Sequence, residues 1–136
     1  MRFQDLQVGV NRVNQTITVN DISHEFVIYT LALPVKPQVQ ATFSKEGVAQ
    51  KVVKIFKKEI QVGDKAFDDM VYVSTDTPDA TLAFLKDQDT QSSIFAWVAT
   101  GGDLSIRDNV VIARVPGADS GDDPALVRIV VRLIGR

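Results

Sequence analysis

Acid/base chemistry near neutral pH most readily uses histidine, and this chain holds a single one, His24. Ser23 precedes it and Glu25 follows. The stretch is strand-like, and strand neighbours point to opposite faces, so these three side chains cannot converge as a triad. His24 reads instead as a surface or turn histidine. The chain has no cysteine. That removes thiol nucleophiles, thiolate metal sites and disulfides together, and one histidine is too few for a zinc site.

The carboxylates offer the next chemistry. In Gly63-Asp64-Lys65-Ala66-Phe67-Asp68-Asp69, a helical turn places Asp64 and Asp68 on one face at i, i+4. With Asp69 they could hold a hard divalent cation or act as an acid/base pair in a metal-assisted hydrolase. The simpler reading is structural and is preferred. Gly63 permits a tight turn, Asp64 caps the following helical turn, Phe67 plugs the core, and the remaining acids are solvated. The acidic loop 117–123 does not match the calcium-loop spacing, and Gly101-Gly102 lacks the phosphate-loop pattern. No cofactor is expected.

Formal net charge is −2, but its distribution is uneven. From Lys45 to Lys58 there are five lysines against one glutamate, and from Glu59 to Asp123 thirteen acids against four bases. Val48, Val52, Ile55 and Phe56 fall at helical spacing, with Lys51, Lys54, Lys57 and Lys58 on the opposite face. An ordinary solvated face is the preferred reading of those lysines; weak contact with an anionic surface is the rival. The acidic balance elsewhere and the lack of interleaved aromatics argue against specific nucleic-acid binding.

The elements that must position these residues read as follows. Val8 and Val10, then Val13, Ile17 and Val19, alternate with polar residues at period two apart from Gln15, with Asn11-Arg12 and Asn20-Asp21 as turn sites. Glu25 to Leu33 forms a central strand ended by Pro34 and Pro37. Gln38 to Phe43, Glu59 to Val62 and Met70 to Ser74 are further strands. Thr77-Pro78-Asp79 starts a helix, and Thr90 caps another that ends at Gly101-Gly102. Leu104 to Arg114 forms a hairpin around Asp108-Asn109. A last amphipathic helix, Pro124 to Ile134, follows a cap at Asp122 or Asp123. Its apolar arc exceeds half its circumference, and Val127, Val131 and Ile134 are the surplus, which suggests a homodimer or protein-partner contact.

This reading gives one α+β domain over residues 1–136: an antiparallel β-meander or sheet with about four helices packed on it. No apolar run reaches the roughly 18 residues of a membrane span. The first fifteen residues hold no continuous apolar run, so no signal peptide is expected. A cytoplasmic protein is the expectation.

The run from Ile60 to Val73, IQVGDKAFDDMVYV, resembles the hallmark of an uncharacterised bacterial domain family, of the form I-x-[TV]-G-D-x-x-F-D-x-x-F-x-V. The likeness covers about Glu25 to Val115. This chain departs from the pattern at Val71-Tyr72, where a bulkier aromatic is expected one position away. The resemblance implies bacterial origin and an α+β fold, and it brings no catalytic residues. The function favoured on these grounds is a non-enzymatic protein-interaction or assembly domain; the alternative is divalent-cation binding or metal-assisted hydrolysis at Gly63–Asp69.

Overall fold

Two long strands, Gly9–Val19 (β1) and Ile22–Ala32 (β2), pair antiparallel along their full length, from Val19 opposite Ile22 to Gly9 opposite Ala32. The two-residue turn between them has φ of 51° at Asn20 and 64° at Asp21. Asn and Asp tolerate this left-handed region, and the turn matches the right-handed twist of the strands. Asn11 and Arg12 form no turn. They lie inside β1 opposite Thr30 and Tyr29: the apolar phase switches sides between Val10 and Val13, but the ladder to β2 runs on through both.

The computed structural model describes residues 7–45, 58–117 and 124–135. After β2 come Ala41–Lys45 (β3), Lys58–Ile60 (β4), Lys65–Met70 (α1), Val71–Thr75 (β5), Pro78–Lys86 (α2) and Gln88–Ala99 (α3). Asp103–Arg107 (β6), Val110–Pro116 (β7) and Pro124–Leu133 (α4) complete the chain of elements. The strands form one antiparallel sheet in the order β1-β2-β7-β6-β3-β5-β4. The fold is α+β, with its amphipathic helix last. No helix among the described residues is long and apolar enough to cross a membrane.

One parity of each strand builds the core. Val27, Tyr29 and Leu31 of β2, Val111 and Ala113 of β7, and Leu104 and Ile106 of β6 are buried with Ala41 and Phe43 of β3. Directly paired residues share a face, so this set forms a single side of the sheet. Leu85 of α2, Ile94, Trp97 and Val98 of α3, and Leu126, Ile129 and Val130 of α4 join the same core. Trp97 stands edge-on to Tyr29, with ring centroids 6.4 Å apart, and its Nε1–H donates to the Asp103 carbonyl at 2.9 Å.

Helix starts refine the sequence reading. Pro78 does open α2, but Thr77 makes no side-chain cap bond to it. The Thr77 hydroxyl instead accepts the Gln40 N–H at 2.9 Å, which ties α2 to the segment before β3. Thr90 is not a cap. Asp87 is, accepting from the Thr90 N–H at 3.0 Å and the Thr90 hydroxyl at 2.8 Å. A carboxylate satisfies two donors there where a threonine would satisfy one.

The lysine-rich helix, with Val48, Val52, Ile55, Phe56, Lys51, Lys54 and Lys57, lies outside the described residues, as do the caps at Asp122 and Asp123. Lys58 belongs to no helix: it opens β4, where it pairs with Thr75 on the β5 edge.

Candidate functional site

The acidic segment folds into α1 and its entry. Gly63 has φ of 95°, in the left-handed region that glycine occupies without steric cost. The Asp64 side chain accepts the Phe67 N–H at 3.1 Å and caps the helix. Phe67 is buried in the core. Asp68 reaches back over the turn: one carboxylate oxygen accepts the Val62 N–H at 2.9 Å and the other the Gly63 N–H at 3.0 Å. Asp69 takes the Lys65 ammonium at 2.7 Å. Each of the three carboxylates therefore has a separate structural partner. Among the described residues, no three His, Asp or Glu side chains gather as a metal-holding cluster.

His24 lies in β2 opposite Ile17, on the face away from Ser23 and Glu25. The Ser23 hydroxyl sits 3.1 Å from that of Thr18. A polar groove of about 820 Å³ runs beside α2, with Asp64, Asp79 and Lys86 on its walls. Asp64 is already spent there as a cap.

The α4 residues singled out from sequence are largely absorbed by the chain itself. Val127 is 4% exposed, and Val131 and Ile134 pack partly buried against the core. Val127 and Val131 also line a groove of about 350 Å³ with Thr90 and two arginines. Arg128 donates to the Ser93 hydroxyl at 3.2 Å, and Arg132 lies 3.6 Å from Asp87. Lys51 and Lys54 lie outside the described residues, and Lys58 sits on β4.

A different surface stands out. On the sheet face opposite the core-forming side chains, β1 carries Val13, Ile17 and Val19, β2 carries Ile22, Phe26 and Ile28, and β7 carries Ile112. Val13, Val19, Ile22 and Ile112 are 50%, 54%, 60% and 46% exposed. They are four of the six large hydrophobics exposed among the described residues; the others are Val10 and Val35. The stripe continues onto the end of the hairpin. Phe26 is the first β2 residue with a β7 partner, and the Glu25 carbonyl accepts the Gly117 N–H at 2.7 Å, so Ile22–His24 pairs with β1 alone. An antiparallel sheet usually shows water a polar face; this one is mostly apolar over three strands, interrupted by Asn11, Gln15, His24, Thr30 and Arg114.

Polar groups bound the stripe and cancel. Arg114 lies beside Ile28 on this face, its Cζ 5.1 Å from the Phe26 ring centroid. Its Nε and Nη2 donate to one Asp103 oxygen at 3.1 and 2.9 Å. Burial pushes the Asp103 carboxyl above its ordinary value, and Arg114 only partly offsets this. Toward β3 and β5 the same face closes, with Ser44 and Ser74 both buried.

The alternation of Val13, Ile17 and Val19 is visible in the sequence, but it does not say whether that side faces the core or the open face. The signal that could have separated the two lies in β2. Its Phe26 and Ile28 alternate with Val27, Tyr29 and Leu31, so the strand is apolar on both sides. In a two-layer fold only one side can be the core.

Compared with protein-family models, curated proteins and solved structures, the chain matches none.

Proposed function

We propose that this protein is a contact domain, working through the open face of β1, β2 and β7 rather than through catalysis. The observation that carries the reading is the apolar stripe on the side away from the core, in which Val13, Val19, Ile22 and Ile112 are exposed and Ile17, Phe26 and Ile28 half-buried. Hydrophobic area of this kind is stabilised by association, at roughly 25 cal/mol for each Å² removed from water. The acidic segment supports the same choice. Its carboxylates hold the entry to α1 in shape, so the cation-binding or hydrolytic alternative rests only on their clustering. The lack of cysteine is compatible with a cytoplasmic setting. The likeness of the Ile60–Val73 run favours a bacterial domain of the family it resembles.

The absence of native cysteine also makes the test clean. A photo-crosslinker attached at Thr30→Cys, in the middle of the face, should form protein adducts that Ile112→Lys abolishes. The same probe at Lys86→Cys on exposed α2 should form none. Equal labelling at both positions, or adducts that survive Ile112→Lys, would refute the reading.

A further inference from the structure

We infer that the occupant of the open sheet face is a second copy of this chain, packed sheet to sheet about a two-fold axis. The inference rests on the contact-domain reading and specifies its partner.

Three features point to self-association. The first is charge. Within the three-strand stripe the ionisable groups are His24 and the Arg114–Asp103 pair, and that pair is internally compensated. A face with so little net charge meets its own image without like-charge repulsion.

The second is shape. The stripe is the flat side of paired strands, and flat antiparallel faces pack on each other about 10 Å apart, as in β-sandwiches. Under two-fold symmetry one patch serves both partners, so a single apolar face is sufficient.

The third is area. The two 11-residue strands and the seven-residue β7 together cover about 460 Å² at ordinary strand spacings. That gives about 900 Å² in all for two copies, below a stable specific interface and in the range of weak, transient contacts. The dimer should therefore be weak and concentration-dependent. Contact along the hairpin end would also support Ile22–His24, since a two-stranded ribbon alone is marginal in water.

The test combines mass and proximity. Light scattering on the wild-type chain should show a mass rising from monomer to dimer with concentration. Val13→Lys and Ile112→Lys should each hold it at monomer, with the melting temperature of the dilute wild-type chain, because both sites are exposed in one copy. A bismaleimide spanning about 10 Å, the spacing of packed sheets, should join Thr30→Cys chains into a covalent dimer and leave Lys86→Cys chains single. A dimer that survives Ile112→Lys would overturn the inference by placing the interface elsewhere. So would a dimer in which deuterium exchange slows only along the outer edge of β1, since that would be edge pairing. A wild-type monomer at every concentration overturns the second copy. If Thr30→Cys then still captures a different protein in an Ile112-dependent way, or the chain floats with neutral phosphatidylcholine vesicles, the face remains a contact surface with another occupant. If it captures nothing, both readings fall.

Discussion

Replacing Asp68 by Asn removes one charge and swaps one oxygen for an NH₂ group. In the native turn the two Asp68 oxygens accept from two different donors, the N–H groups of Val62 and Gly63. Asparagine has one oxygen, so one bond is lost and an NH₂ faces a backbone N–H. A hydrogen bond to a charged group contributes about 1.5–3 kcal/mol, and partial exposure of this one lowers that. The expected loss is about 1–2 kcal/mol. In a domain of this size that corresponds to a fall in melting temperature of roughly 3–8 °C. Asp64→Ala, which removes a cap, should cost about 1 kcal/mol, and Asp69→Ala should fall within error because its partner Lys65 is fully exposed. Urea titrations with unchanged slope would report these differences as shifts of midpoint. The graded order Asp68, Asp64, Asp69 is the signature of three separate structural roles. Equal losses at all three, together with a wild-type melting temperature that rises with millimolar calcium, magnesium or manganese, would refute it in favour of a shared cation.

Other perturbations give distinct readouts. A Cβ added at Gly102 would stand 2.7 Å from the Trp97 carbonyl oxygen and 2.8 Å from its Nε1. Gly102→Ala should therefore cost about 1–3 kcal/mol and shift Trp97 fluorescence; unchanged stability and emission would mean the backbone there yields freely. Phe67→Ala should cost about 3–5 kcal/mol, read by chemical denaturation, and a near-neutral result would place Phe67 outside the core. The Asp87 carboxyl is held below its ordinary value, first by the Thr90 hydroxyl and then by the Thr90 N–H. A lowered carboxyl stabilises the fold above the unfolded-state value and ceases to do so as pH falls through the folded one. The stability gap between wild type and Asp87→Ala should thus be flat near neutrality and shrink in acid; a gap that widens in acid would reverse the assigned sign.

The parts of the fold visible in the sequence are those set by local chemistry. Asn20-Asp21 specifies a tight turn wherever it occurs, Pro78 an α2 start, and Gly63-Asp64 a capped entry to α1. Thr90 misled because a threonine and an aspartate three residues apart are both good caps, and only the structure shows which one takes the N–H. Asn11-Arg12 misled because the apolar phase changes between Val10 and Val13, which resembles a break, whereas the ladder to β2 runs on through it. The open face was hidden for a different reason. Period two tells which residues share a side, but not which side faces the helices. That choice depends on β7 docking against β2, a pairing about 85 residues distant in sequence that no local pattern encodes. The same limit applies to α4. Its wide apolar arc suggested a partner, whereas the core packs over Val127 and against Val131 and Ile134.

The most direct test of the open face is its accessibility to a freely diffusing paramagnetic agent, read from methyl signals. Val35 is 55% exposed in the segment between β2 and β3 and serves as an internal control. At high protein concentration the methyls of Val13, Ile28 and Ile112 should be shielded relative to Val35. In the Ile112→Lys chain those of Val13 and Ile28 should become accessible. Broadening of Val13 and Ile112 equal to that of Val35 at every concentration would contradict the claim that this face is occupied by a second copy.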